Sequence, residues 1–259
     1  EASGYLAGGQ SSATILFPAV ALWFIEAPWG GFDATFLVAM SLVLLGAGAA
    51  AALARAIPKP PPKDLADSTI PWWREILNVF DRHIVLAAAL MFALHISLPC
   101  FSSFVVLYAR ELAIEQFGWY FVATGVTSML ARPLLGRVSD KIGTGRSLIA
   151  AYTLESIALL MMPFAGNLAG VMVGGALYFM GSAIGGARIL ALAIEYGPAE
   201  RRARAMASFS VAFPLSNGTA AMLSGFVVDL AGYSWMYLTA ALPCAIGVFL
   251  TVKYWARLK

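Results

Sequence analysis

The chain consists of long apolar stretches separated by short polar breaks. Each stretch holds about the 20 mainly apolar residues that a helix needs to cross a bilayer. The pattern therefore predicts an all-α membrane protein with eight membrane-spanning helices. We expect these spans at about 5–25, 34–55, 84–108, 117–136, 147–166, 169–196, 205–229 and 235–255.

The longest polar break, 56–83, separates two spans in 1–55 from six spans in 84–259. It is rich in proline and then in charge, and its segment PWWREILNVF alternates large apolar residues with charged ones. Such alternation is typical of an amphipathic helix on a membrane surface, and an unstructured linker is the alternative. We interpret 56–83 as a connection between two helical regions.

The composition agrees with a membrane protein. Hydrophobic residues make up 60% of the chain and charged residues only 12%, whereas about a quarter of a typical soluble domain is charged. The two cysteines, Cys100 and Cys244, both lie in apolar stretches. They are interpreted as small apolar core residues, because nothing in their number or spacing indicates a disulfide framework.

The positive charges lie almost entirely on one side of the predicted membrane. All of the 17 Lys and Arg residues except Arg110 and Arg188 flank the connections on one side or end the chain. Cytoplasmic loops carry the excess of Lys and Arg. We therefore expect a multi-pass protein of the inner or plasma membrane, with both ends of this chain in the cytoplasm.

The run GRVSDKIGTGR, from Gly136 to Arg146, joins the fourth and fifth predicted spans. A phosphate-binding glycine loop is one interpretation, but such loops follow a β-strand and carry Lys before Ser or Thr. A second interpretation is an ordinary cytoplasmic turn. The third comes from a family resemblance.

The run resembles the signature loop of the major facilitator superfamily. That signature reads Gly, three residues, Asp, a basic residue, one residue, Gly and then two basic residues. Here Gly136, Asp140, Lys141 and Gly143 match, whereas Thr144 and Gly145 replace the basic pair and Arg146 comes late. The pattern ARPLLGRVSDKIG looks most like bacterial efflux members of the family.

The resemblance implies a twelve-helix fold in two halves of six helices. The long connection then places the last two helices of the N-terminal half before it and the complete C-terminal half after it. We accordingly expect the chain to begin inside a longer protein, as its first residue, Glu1, also indicates.

Within the loop, we expect Gly136 to allow close helix packing and Gly143 to adopt a positive φ. Asp140 would favour a nearby helix N-terminus, where the helix dipole stabilises negative charge. A charge network would surround it and close the cytoplasmic side in the outward-open state. Its expected members, besides Lys141 and Arg146, are Arg137, Glu195, Arg201 and Arg202.

Four polar residues within the predicted spans are candidates for function, because ionisable groups are costly there and indicate function by default. Glu155 is interpreted as a proton-coupling or solute-binding group, or as a structural partner of another helix. Arg188 could bind an anionic group, balance Glu155 or form a static ion pair. His95 could relay protons, although a helix-packing role is favoured, and Asn217 could line a polar cavity or bond a neighbouring helix.

These observations predict a secondary active transporter that moves a small organic solute, with proton-coupled export favoured. The alternatives are an uptake symporter for a sugar or organic acid and, more distantly, a membrane-embedded enzyme, whose usual catalytic motifs are absent. The signature loop argues against a channel or receptor. The expected partners are the solute, protons and the bilayer; we expect a monomer without cofactor, metal or nucleic acid.

Overall fold

The computed structural model of the protein describes residues 20–21, 23–25, 30–56, 85–196 and 202–258, and all regular structure in these ranges is helical. The helices are α1 (Phe32–Ala56), α2 (Val85–His95), α3 (Leu98–Ser102), α4 (Phe104–Glu111), α5 (Gly118–Ile142), α6 (Thr144–Met161), α7 (Leu168–Tyr196), α8 (Arg202–Ala231) and α9 (Tyr233–Lys253). Short 3₁₀ turns follow α6 and α9, at Met162–Phe164 and Trp255–Arg257.

Six helical segments of the described part are long and apolar enough to cross a membrane. They are Phe32–Leu53, Val85–Ser102, Thr144–Phe164, Leu168–Glu195, Ser210–Ala231 and Tyr233–Lys253. The predicted fourth span corresponds to α5, whose 25 residues include Thr, Ser, Gly and four charged residues and are less apolar. Most of the predicted first span and almost all of the 56–83 connection lie outside the described residues, so the count of eight stays a prediction.

The predicted third span, 84–108, is wrong as a single helix, because the structure divides it into α2, α3 and α4. Pro99 explains the break between α2 and α3, since proline has no N–H to continue the helical ladder and its ring crowds the carbonyl four residues earlier. Beyond it the backbone tightens, and the Cys100 amide donates to the Ser97 carbonyl at 3.1 Å.

Tyrosine hydroxyls from three other helices bond the backbone around this break. Tyr152 of α6 donates to the Leu90 carbonyl at 2.8 Å, and Tyr120 of α5 donates to the Phe101 carbonyl at 2.8 Å. Tyr237 of α9 donates to the carbonyl of Cys100 at 3.1 Å. Irregular backbone at membrane depth is tolerated where such partners satisfy its polar groups. These bonds therefore fix the broken helix within the bundle.

Small residues let α6 and α7 approach closely at the centre of the bundle. A Cβ atom on Gly181 would lie 2.7 Å from the carbonyl oxygen of Ala151, and one on Gly185 would lie 2.8 Å from a methyl group of Leu94. The Gly181–Gly185 pair, one helical turn apart, therefore packs closely against α6 and, through Leu94, against α2. It brings the polar side chains of α6 and α7 into one interior.

Candidate functional site

The turn between α5 and α6 is made by Gly143, which has φ +85° and ψ 164°. That region of backbone conformation is open essentially to glycine alone, so the predicted positive φ is confirmed. The expectation for Gly136 is wrong for the described residues, because a Cβ atom built there meets nothing within 4 Å. Among the described residues, Gly136 thus makes no close helix contact that a larger residue would break.

A hydrogen-bonded group with two buried serines, here called the loop cluster, surrounds this turn. It consists of Ser139, Gly143, Ser147 and Arg188. Ser139 donates to the Ser147 hydroxyl at 2.8 Å, and Ser147 donates to the Gly143 carbonyl at 2.8 Å. Arg188 of α7 donates through Nε to the Ser139 hydroxyl at 2.6 Å. The loop cluster therefore ties α5, the turn, α6 and α7 together.

The two serines of the loop cluster are absent from the sequence prediction. Ser139 is one of the three residues between Gly136 and Asp140, whose identity the signature does not specify. Ser147 follows Gly143 by four residues. That second spacing is a usable signal, because a serine in a first helical turn can bond the carbonyl four residues earlier. Sequence periodicity alone could not show that the two hydroxyls meet.

Arg188 lies in the loop cluster rather than beside the buried glutamate. Gly181, the α7 residue that packs against Glu155, precedes it by seven residues, which is roughly 10 Å along a helix. The structure therefore places Arg188 and Glu155 in two separate groups. Arg188 reaches the signature loop, a contact that the sequence did not predict.

The C-terminal segment packs against the same turn. The Gly145 amide donates to the Leu258 carbonyl at 3.0 Å, and Leu258 is buried. A Cβ atom on Gly145 would lie 2.8 Å from the Trp255 ring. The glycine that departs from the family signature thus makes room for this tryptophan, which any larger residue at that position would displace.

The predicted charge network falls largely outside what the structure describes. This holds for Arg201 and for the side chains of Arg137, Asp140 and Arg202. Lys141, Arg146 and Glu195 are described and exposed. The charge network therefore stays a prediction, built around a loop cluster that is itself in place.

A second group, here called the carboxyl cluster, lies in the bundle interior and consists of Glu155, Cys244, Ser97 and Tyr178. Glu155 is fully buried. Its Oε2 accepts a hydrogen bond from the Cys244 thiol of α9 at 3.7 Å, whereas Oε1 has no hydrogen-bond partner among the described residues. One oxygen of this carboxyl group is therefore unsatisfied.

The carboxyl cluster reaches the break in the third span. Cys244 lies close to Ser97. Ser97 stands between α2 and α3 and donates to the Tyr178 hydroxyl at 3.3 Å. Tyr178 in turn stacks on Phe101 of α3, with ring centroids 4.3 Å apart. A change in charge at Glu155 would therefore act on side chains that hold the broken helix.

His95 and Asn217 belong to neither the loop cluster nor the carboxyl cluster. His95 is buried, its Nδ1 lies 3.3 Å from the Met91 carbonyl, and its ring meets the Phe213 ring edge-on at 5.0 Å. Asn217 donates to the Phe213 carbonyl at 3.0 Å. His95 therefore contributes to the α2–α8 contact, whereas Asn217 bonds the backbone of its own helix. Within the described ranges, no group of three or more His, Cys, Asp or Glu residues could hold a metal.

The described part of the chain has membrane-length apolar helices, a broken helix inside the bundle and polar groups enclosed between helices, which together indicate a multi-pass membrane protein. The family can be named as well. Residues 85–258 match the family model of the Major Facilitator Superfamily, and the chain belongs to that family. The resemblance inferred from Gly136 to Arg146 is thereby confirmed.

Related bacterial proteins support the same placement. The chain is 26% identical over 238 residues to the uncharacterized MFS-type transporter YhhS of Escherichia coli K12, covering 86% of this chain and 52% of the relative. It is 27% identical over 224 residues to an uncharacterized MFS-type transporter of Pseudomonas aeruginosa, covering 84% and 52%. The chain thus spans about half the length of these relatives.

Proposed function

We propose that the protein is a secondary active transporter that exports a small organic solute in exchange for protons. Membership of a transporter family supports the general activity. The single observation that supports proton coupling is Glu155, which is fully buried and has one oxygen without a hydrogen-bond partner in the described structure.

A buried carboxyl group suits proton coupling for an electrostatic reason. Taking up or releasing a proton changes its charge by one unit, and an uncompensated charge in an apolar interior is expensive. The energy of the surrounding packing therefore depends on whether the proton is present. Glu155 acts in this proposal as the group whose proton changes the balance between two arrangements of the helices.

The break in the third span is where this change would take effect. Ser97 and Tyr178 link the carboxyl cluster to α3, and discontinuous helices commonly lie at the binding sites of transporters. In our proposal, loss of the Glu155 proton repacks these side chains and moves α2 relative to α3. The solute would then meet a cavity open to the other side.

The loop cluster supports a second part of the proposal, a gate on the cytoplasmic side. Its bonds between Arg188, Ser139 and Ser147 hold α7 against the α5–α6 turn. Residues 1–55 and 84–259 would belong to the two halves of the transporter, joined by 56–83. In our proposal these bonds hold the α5–α6 turn in place within one half, and the charge network around it forms when the cytoplasmic side closes and breaks when it opens.

A flux measurement on the full-length protein in proteoliposomes tests this function. A pH-sensitive dye inside the vesicles would record proton movement while a panel of amphipathic cations, sugars and organic acids is supplied. We expect at least one solute to drive protons in the direction opposite to its own. Transport of a solute with co-directional proton movement would show a symporter instead, and transport without proton movement would refute the coupling.

A further inference from the structure

An apolar cavity of about 520 Å³ lies between α2, α8 and α9. One wall is a face of α2 together with Ile96, which follows it directly. The other walls come from Val211 and Leu215 of α8 and from α9 between Pro243 and Leu250. All of the side chains that line it are apolar. Neither the loop cluster nor the carboxyl cluster contributes a residue to this wall.

The wall chemistry indicates what could occupy the cavity. Sites for small polar molecules combine apolar surface with a few placed polar groups that fix orientation. This wall offers no such group, so nothing in it would orient a sugar, an organic acid or an ion. An apolar chain is the occupant that the wall favours.

The dimensions match one leaflet of a bilayer. The stretch from Val85 to Ile96 rises by eleven residues, roughly 16 Å along a helix. That length is about half of the ~30 Å hydrocarbon core of a membrane. The cavity therefore extends from one end of α2 to about the middle of the bilayer, the depth that one acyl chain covers.

A basic side chain stands at the outer end of the cavity. Lys253 follows Leu250 by three residues and so lies on the same face of α9, one turn further out. It is exposed, and its Nζ lies 5.9 Å from the centroid of the Phe249 ring and 5.8 Å from that of Tyr254. Lysine and aromatic rings at this level are typical of a helix end among lipid headgroups.

We propose that the cavity binds one acyl chain of an anionic phospholipid and that Lys253 binds its phosphate. The lipid belongs to the leaflet that meets the C-terminal end of α9. It fills the space beside α2 and so supports the helix that leads into the break at Ser97. This inference is independent of the solute and of proton coupling.

Native mass spectrometry of the purified full-length protein tests the proposal. Phosphatidylglycerol and phosphatidylcholine with identical acyl chains serve as probes. We expect the wild-type protein to retain one phosphatidylglycerol about fivefold more tightly than phosphatidylcholine, as roughly 1 kcal/mol for one lysine near anionic lipid implies. Lys253→Gln should remove this preference, and Ala93→Phe, which fills the cavity, should remove both lipids.

Matched variants separate the cavity from the general surface. Ala89→Leu is a milder filling variant in case Ala93→Phe does not fold, and it should also lower lipid retention. Ala245→Leu, at an exposed position of α9 outside the wall, and Arg55→Gln, at the exposed end of α1, should retain the wild-type pattern. If the wild-type protein retains no lipid, the cavity is filled by protein and the proposal is wrong. Lipid retention at the wild-type level in Ala89→Leu would also overturn it. So would a wild-type preference for phosphatidylglycerol in Lys253→Gln.

Discussion

The two polar clusters of this protein differ in how completely their groups are bonded. In the loop cluster, Ser139 and Ser147 both have hydrogen-bond partners, including the charged Nε of Arg188. In the carboxyl cluster, Glu155 has one oxygen bonded by a weak thiol donor and one with no hydrogen-bond partner in the described part of the chain. A satisfied buried network fixes one arrangement, whereas an unsatisfied carboxyl group leaves a site that a proton can change.

The carboxyl cluster depends on the close approach of α6 and α7 at Gly181. We expect Gly181→Ala to lower the free energy of unfolding by about 2–3 kcal/mol, because its Cβ would overlap the Ala151 carbonyl, which is backbone and cannot turn aside. Thermal unfolding of the purified full-length protein measures this. Gly186→Ala, on the same helix with ordinary contact at 3.8 Å, is the control and should be nearly neutral. Equal losses in the two variants would contradict the account.

The loop cluster depends on the backbone of Gly143. Gly143→Ala should cost about 2 kcal/mol, because few other residues adopt its φ and ψ. Gly232 has φ 84° and ψ 175° at the α8–α9 turn and is a matched control with the same strain. We expect Gly143→Ala and Gly232→Ala to destabilise alike in thermal unfolding. In a Ser139→Cys background, only Gly143→Ala should increase chemical labelling of the introduced thiol. An equal increase with Gly232→Ala would show that the loop cluster does not depend specifically on Gly143.

The contact between Gly145 and Trp255 can be tested by a double-mutant cycle. Gly145→Ala should cost about 1 kcal/mol, since the new methyl group must push the Trp255 ring aside. In a Trp255→Ala background the same substitution should cost less, with a coupling of at least about 0.5 kcal/mol. Thermal unfolding of the four proteins gives this value. Strict additivity would show that the ring does not restrict position 145.

The smallest expected effect is a difference between the two buried cysteines in how their substitution changes the pH dependence of transport. Cys244 bonds Glu155, whereas Cys100 contacts Ser224 at 3.6 Å. We expect Cys244→Ala to shift the pH dependence of transport and Cys100→Ala to leave it unchanged, with similar small losses of stability in both. Rates measured across a pH series in proteoliposomes provide the comparison. Identical pH profiles for Cys244→Ala and the wild type would exclude a role for the thiol in positioning the carboxyl group.

Features that depend on local sequence were predictable. Hydrophobic stretches gave the helices from α6 to α9 within a few residues, because the bilayer sets the length of a span. The glycine spacing of the signature gave the family and the positive φ of Gly143. The burial of Glu155 in the bundle fits its position within a predicted span, while its role stays a prediction based on the cost of a charged residue there.

Features that depend on contacts between distant segments were not predictable. The partners of the broken third span are tyrosines from α5, α6 and α9, and no spacing along the chain links them. The same holds for Trp255 and Gly145, which are separated by more than a hundred residues. Arg188 was assigned to the bilayer interior from its position in a span, but the length of its side chain carries it to Ser139.

The central claim, that Glu155 is the proton-coupling group, is tested most directly by solute transport in Glu155→Gln. Glutamine keeps the size of the side chain and cannot release a proton. Proteoliposomes with the full-length variant would be assayed for solute exchange without a gradient and for accumulation driven by a proton gradient, with Glu115→Gln, an exposed carboxyl group, as the control. The account predicts that Glu155→Gln retains exchange and loses gradient-driven accumulation, while Glu115→Gln retains both. Accumulation at the wild-type level in Glu155→Gln would contradict it.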